Sequence, residues 1–299
     1  MSGRLLSQTK LWLLASRPKT LFAALAPVML GTALAYSLGK GHLASAIAAL
    51  LGAIGIQVGT NLANDYWDAK KGADTEARLG PIRVTSSGLL SPRSVFIGML
   101  LAFVAAAFAG LYLIYEAGWP VFWIGVISIF CGIIYTAGPF PLAYLGLWDV
   151  FTFMFFGPVA TVGSFYVQAH TVSFTPLLLG CIPGSYSVVL IALNNLRDRD
   201  SDILVNKKTL AVRFGAAFAR AEIALCLYSP LIFIMLFYRD GHLSALRVIA
   251  SITVCVLGGL AVLLPVYRIR DMRLINGLFP RTAMLSLVMA SLLSLFLLL

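Results

Sequence analysis

The chain has 299 residues, 60% of them hydrophobic and 11% charged, with a mean hydropathy of +0.92. That composition excludes a soluble globular domain and points to a multi-pass membrane protein. The net charge of +10 would suit nucleic acid, but the basic residues are segregated by membrane side rather than gathered on one face, so no nucleic-acid partner is expected.

Residues 1–20 set Arg4, Lys10, Arg17 and Lys19 among Leu5, Leu6, Leu11, Trp12, Leu13 and Leu14. This reads as an amphipathic, interfacial segment ahead of the first span. Apolar runs of crossing length, about 20 residues for about 30 Å of hydrocarbon, follow at 21–39, 42–63, 94–116, 119–136, 148–169, 173–196, 217–238, 243–266 and 279–298. The expected fold is an all-α membrane protein: nine transmembrane helices in a single bundle over 21–299. Of the 22 Lys and Arg, only Lys40, Arg239 and Arg247 fall opposite the N-terminal side. The positive-inside rule then makes the N-terminus cytoplasmic. Cys131, Cys181, Cys226 and Cys255 stand singly in apolar spans, without metal-ligand spacing, and read as packing residues.

Two windows break the apolar pattern. One runs Asn64-Asp65-Tyr66-Trp67-Asp68 and on to Asp74 and Glu76; the other runs Asn194-Asn195-Leu196-Arg197-Asp198 and on to Asp200 and Asp202. They hold seven of the 12 acidic residues, and each begins where a span of the same orientation ends. Asn61, Asn64, Asp65 and Asp68 share one helical face, as do Asn194, Asp198 and Asp202 if the helix continues. Asp65 and Asp198, 133 positions apart, suggest a faint repeat of two four-helix units facing one another, with a ninth helix completing the bundle.

Solvated helix ends are the plain alternative. Against it, carboxylates at a helix C-terminus oppose the dipole by about 0.3–1 kcal/mol each, and like charges at i,i+3 and i,i+4 repel. A compensating cation is therefore expected at both windows. Carboxylate oxygens without His or Cys suit Mg²⁺, which characteristically bridges carboxylates to a phosphate. Basic loops follow each window, with Lys70, Lys71, Arg78 and Arg83 after the first and Lys207, Lys208 and Arg213 after the second. Together they describe a Mg²⁺–diphosphate site at a membrane interface.

The motifs Asn64-Asp65-x-x-Asp68, with Asp74 beyond, and Asn195-x-x-Asp198-x-x-x-Asp202 resemble the paired Asp-rich motifs of the UbiA-type intramembrane aromatic prenyltransferases. The resemblance covers almost the whole chain. The stretches Arg17-Pro18-Lys19-Thr20-Leu21, Lys71-Gly72-Ala73-Asp74, Arg78-Leu79-Gly80-Pro81-Ile82-Arg83, Tyr135-Thr136-Ala137-Gly138 and Lys208-Thr209-Leu210-Ala211-Val212-Arg213-Phe214-Gly215 are most similar to the branch that prenylates 1,4-dihydroxy-2-naphthoate. Val205 stands where the second motif usually carries a further acid.

The resemblance implies a UbiA-like bundle in a bacterial cytoplasmic membrane, with its active site at the cytoplasmic face. It implies Mg²⁺ held by Asp65, Asp68, Asp74, Asp198 and Asp202, and a polyprenyl diphosphate ionising to an allylic cation. Lys70, Arg78, Arg83 and Lys207 would take charge from the leaving diphosphate, with Asn64, Asn194 and Asn195 beside it. An aromatic acid would attack the cation and lose its carboxylate as CO₂.

Other residues carry two readings each. Arg17 and Lys19 suit an acceptor carboxylate or the membrane surface. Asp149 is a dipole-favoured helix start or a pocket acid. Tyr135, with Tyr66 and Trp148, offers ring faces to a carbocation or belongs to the interfacial aromatic belt. Rival functions are prenyl transfer to 4-hydroxybenzoate or homogentisate, and cation-coupled transport. Transport needs acids near the bilayer midplane, where this chain carries almost none.

Overall fold

The computed structural model describes residues 7–72, 79–138 and 146–299, so Asp74 and Arg78 lie outside the described residues, as does the side chain of Lys19. The described elements are helical throughout. Helix α1 (Gln8–Ser16) turns at Arg17 into α2 (Pro18–Ser37); α3 (Leu43–Lys70), α4 (Pro92–Ala117) and α5 (Trp119–Ile134) follow. Helix α6 (Trp148–Met154) continues through a π-helical turn (Phe155–Val159) into α7 (Ala160–Ala169). Then come α8 (Phe174–Leu204), α9 (Leu210–Tyr228), α10 (Pro230–Arg239), α11 (Ala245–Arg268), a 3₁₀ turn (Met272–Gly277) and α12 (Leu278–Leu298).

Local chemistry sets the helix starts. Proline opens α2, α4 and α10, where its missing N–H has no helical partner to lose. Ser91 and Thr209 cap α4 and α9 by accepting from the Ser94 and Val212 amides.

Among the described residues, eight helical stretches are long and apolar enough to cross a membrane. Nine were expected; the difference is α5, whose 16 residues fall short of crossing length. The motif helices run further than their apolar runs. Helix α3 ends at Lys70 rather than near 63, and α8 ends at Leu204 rather than near 196. The polar residues of those last turns find partners in the protein, so the chain does not unwind into loop there. Helix α9 begins early, at Leu210, but breaks at Gly215, whose φ of 87° lies in the left-handed region.

Helix α8 is the axis of the fold: 89% of its apolar stretch is buried, against 22% for α3 and α4. Helix α2 packs against both α3 and α8. Leu30, Phe165, Tyr186, Leu193, Ile223 and Met289 form the main core around α8. The π-turn comes to backbone contact with α8: a Cβ on Gly157 would lie 2.6 Å from the Gly180 carbonyl oxygen, and one on Gly184 would lie 2.7 Å from that of Phe153. Only glycines permit that approach, and it presents Trp148, Thr152 and Phe156 beside the second motif.

Candidate active site

The two stripes face one cavity of about 380 Å³. Helix α3 contributes Gln57, Thr60, Asn61, Asn64, Asp65 and Asp68; helix α8 contributes Ser187, Leu190, Ile191, Asn194, Asp198 and Asp202. Each set repeats at three and four residues, so a single helical face does the lining.

On α3, the Asp65 carboxylate accepts the Val84 and Thr85 amides, both at 3.2 Å. It thereby holds the loop that carries Arg83. One terminal nitrogen of Arg83 donates to Asn64 Oδ1 and to Asp68 Oδ2, both at 3.2 Å. On α8, Arg197 grips Asp198 bidentately, Nε to Oδ1 at 2.8 Å and Nη2 to Oδ2 at 2.6 Å. The same Nη2 donates to Asn194 Oδ1 at 2.7 Å. In both places one guanidinium nitrogen bridges an Asn and the Asp four residues later. The repeat therefore pairs Asp68 with Asp198, 130 positions apart, and not Asp65 with Asp198.

Arg197 and Asn276 are site residues that the sequence reading missed. Arg197 Nη1 donates to Asn276 Oδ1 at 2.8 Å, and its guanidinium lies 5.2 Å from the Phe279 ring centroid. Asn276 in turn donates to the Leu79 carbonyl at 2.8 Å, tying the first motif's loop to the 3₁₀ turn ahead of the last helix. Nothing in the sequence around Asn276 marks it out. Arg197 stands inside the motif, but neighbours at i,i+1 diverge on a helix, so a pairing with Asp198 was not anticipated.

Lys207 meets Asp202 at 3.6 Å. Burial pulls its pKa down, but Asp202, Tyr135, Asp68 and Asp198 outweigh burial and raise it above the ordinary lysine value. Lys71, just past α3, donates to the Thr136 and Gly138 carbonyls at 2.6 and 3.2 Å. Burial lowers its pKa, with Asp68 opposing.

Arg17 reaches the cavity from the α1–α2 corner with φ 51°, a left-handed residue ahead of a proline. Asn61 secures that corner: its amide donates to Ser16 O at 2.9 Å and Thr20 Oγ1 at 3.0 Å. Tyr135 lines the cavity and packs against Trp148, the rings tilted by 32° with 4.0 Å between centroids. Lys70, Asn195 and Asp149 are placed elsewhere. Lys70 is exposed, with Nζ 5.0 Å from the Trp67 ring centroid, because it follows the α3 face opposite the stripe. Asn195 and Asp149 are buried but do not line the cavity. Asp149 Oδ1 has no hydrogen-bond partner among the described residues.

A second cavity of about 370 Å³, almost wholly apolar, lies between α3, α4, α5 and α7. Gln57, Thr60, Trp148 and Phe156 line both cavities. The polar chamber therefore adjoins a greasy one across a neck of four side chains.

The donors in the polar cavity fit a hard divalent cation. They are the oxygens of Asp65, Asp68, Asp198 and Asp202 and the amide oxygens of Asn64 and Asn194, with no imidazole or thiol. Among the described residues no three acidic, His or Cys side chains converge on one point. Such an ion would thus be held by few carboxylates, with phosphate and water completing its shell, as is usual for Mg²⁺.

The family profile described as UbiA prenyltransferase matches residues 24–288. The 1,4-dihydroxy-2-naphthoate octaprenyltransferase of Escherichia coli is 36% identical over 245 residues, 79% of each chain. The protein of the same name from Mycobacterium tuberculosis is 39% identical over 210 residues, 70% of this chain and 71% of that one. Among solved structures, a UbiA homolog from Archaeoglobus fulgidus bound to DMAPP and Mg²⁺ superposes with a TM-score of 0.64 at 12% identity, covering 93% of this chain and 99% of that one. The all-helical bundle, the paired Asn–Asp stripes on one cavity and these likenesses agree: the chain belongs to the UbiA prenyltransferase family.

Proposed function

We propose that the polar cavity transfers a polyprenyl group from its diphosphate to 1,4-dihydroxy-2-naphthoate, releasing diphosphate and CO₂ and giving demethylmenaquinol. The observation that carries this is the facing of both acidic stripes, with Arg83, Arg197 and Lys207, on one chamber that adjoins an apolar cavity. The chamber suits the diphosphate head and the apolar cavity suits the isoprenoid tail. The names of the E. coli and M. tuberculosis relatives supply the acceptor.

Asp65, Asp68, Asp198 and Asp202 would hold Mg²⁺, with Asp74 a further ligand from the segment beyond α3. When bound, Mg²⁺ supplies charge stabilisation to the departing diphosphate oxygens. Arg83 and Lys207, with Arg78, add donors to those oxygens. The C–O bond breaks with its electron pair going to the diphosphate, leaving an allylic cation. Tyr135, packed against Trp148 at the neck, offers a ring face to that cation. Arg17, with Lys19, meets the acceptor carboxylate and turns the ring toward the cation. The ring forms the new C–C bond, and departure of the carboxylate as CO₂ restores aromaticity. No substrate contact is assigned to Lys70, Asn195 or Asp149.

In this reading α5 is the ninth span, the N-terminus and both motifs lie at the cytoplasmic face, and the host is a bacterial cytoplasmic membrane. The charge asymmetry across the spans supports that orientation.

The test supplies membranes holding the protein with Mg²⁺, a polyprenyl diphosphate and each aromatic acid in turn, labelled in its carboxyl group. Labelled CO₂ from dihydroxynaphthoate alone is the expected result. Absence of product with every acceptor, or undiminished activity in Asp65→Ala and Asp198→Ala, would refute the assignment.

A further inference from the structure

The two arginine bridges repeat a geometry without repeating a sequence. Arg83 comes from a loop 15 residues after Asp68, whereas Arg197 sits next to Asp198 in the same helix. Yet each places one terminal nitrogen between an Asn Oδ1 and an Asp Oδ2 one helical turn apart. An i,i+1 pair on a helix does not face itself. Arg197 is folded back onto Asp198 by Asn194, Asn276 and the Phe279 ring. Such convergence is expected if the geometry itself has a use.

Two of the oxygens so bridged are carboxylate oxygens, and a divalent cation that approaches them competes with a guanidinium at 2.6–3.2 Å. Both arginines line the cavity. Arg197 has holds that do not depend on Asp198, namely the 2.8 Å bond to Asn276 and the Phe279 face. It can release the carboxylate and stay at the chamber wall. A guanidinium there matches diphosphate as well as it matches carboxylate, by the same bidentate fork.

Building on the prenyl-transfer reading of this cavity, we propose that Arg83 and Arg197 are exchangeable ligands of the two Asn–Asp pairs. Each neutralises its pair, surrenders it to a divalent cation, and turns to the diphosphate that arrives with the cation. Arg197 is the tighter latch, its bonds to the pair being 2.6–2.8 Å against 3.2 Å for Arg83. Metal and diphosphate binding are then linked, each favouring the other.

The test measures Mn²⁺ affinity by electron paramagnetic resonance on the detergent-solubilised full chain, with and without inorganic diphosphate. The wild type is expected to bind Mn²⁺ about tenfold more tightly when diphosphate is present, within the ordinary range of such coupling. Arg197→Gln should bind Mn²⁺ more tightly than the wild type without diphosphate, and should lose most of the diphosphate effect. Arg197→Lys keeps the buried charge without the fork, should fall between the two, and decides the matter by the same criteria if Arg197→Gln does not fold. Variants that gain no Mn²⁺ affinity without diphosphate, or that keep the full diphosphate effect, overturn the exchange while leaving the site reading intact. A wild type that binds no Mn²⁺ even with diphosphate overturns both.

Discussion

Lys207 comes within 3.6 Å of Asp202 because α8 ends between them in a left-handed turn. Asn206, at φ 54°, donates its amide to Ile203 O at 3.1 Å, and Lys207 donates its own to Asp202 O at 2.9 Å. These are the two closing bonds of a Schellman cap, with Asn in the position glycine commonly takes. The backbone that stops the helix thus also delivers the ammonium to the motif's last carboxylate.

The cap is separable from the charge. Asn206→Gly should leave stability and activity close to wild type, whereas Asn206→Val, forced into the left-handed region, should cost about 1–2 kcal/mol. Lys207→Met should cost about 1–3 kcal/mol by taking the Lys207 ammonium away from the buried Asp202 carboxylate. The folded pKa of Lys207 is raised above its unfolded value near 10.5, so its contribution is complete below that pH and lost only above it. Unfolding in detergent should therefore show the same Lys207→Met deficit at pH 6 and pH 9. A deficit that disappears by pH 9 would contradict this pairing.

Asp65 and Asp68 should respond differently to the same change. Both Asp65 oxygens accept backbone amides, so Asp65→Asn turns an NH₂ toward an N–H. The expected cost is about 1–3 kcal/mol, together with faster proteolysis within 79–91. Asp68→Asn keeps an oxygen for Arg83 and should leave that loop protected. Both should lower kcat by about 10²–10³-fold, the usual scale for one electrostatic contact to a developing charge. Limited proteolysis beside turnover measurements separates the two roles.

What the sequence made legible was periodic. Spacings of three and four over Asn61, Asn64, Asp65 and Asp68, and of four over Asn194, Asp198 and Asp202, put each set on one face, and those faces line the cavity. The apolar runs stop near 63 and 196, short of the helix ends at Lys70 and Leu204, because the polar last turns stay helical by finding hydrogen-bond partners within the protein. The repeat was read three residues out of register, since the Asn–Asp–Arg bridge that fixes it needs an arginine from a different place in each half. Asn276 was illegible for a plainer reason: its partners, Arg197 and Leu79, lie 79 and 197 positions away.

Asn61 belongs to the polar stripe, but its amide holds the α1–α2 corner rather than a charge. Asn61→Ala should remove two hydrogen bonds, at about 1 kcal/mol each, and free Arg17 from its strained left-handed turn. With Arg17 on the acceptor side, KM for the aromatic acid should rise while KM for the prenyl diphosphate changes little. Steady-state kinetics with each substrate varied in turn decides it; equal increases in both would place Arg17 elsewhere.

The apolar cavity offers a test of where the prenyl tail runs. Gly110 and Gly125 line it from α4 and α5, and a Cβ at either would meet nothing within 4 Å. Leucine at these positions therefore fills space without displacing backbone, and it replaces a poor helix former with a good one. Gly110→Leu and Gly125→Leu should fold as well as the wild type. They should reduce kcat/KM for long polyprenyl diphosphates about tenfold or more, because obstructing even two buried methylenes forfeits about 1.6 kcal/mol. Dimethylallyl and geranyl diphosphates, whose short tails have least need of the second cavity beyond Gln57, Thr60, Trp148 and Phe156, should be used as before. If long and short donors suffer equally, the tail leaves the chamber by another route, and the second cavity is a lipid-filled gap between helices.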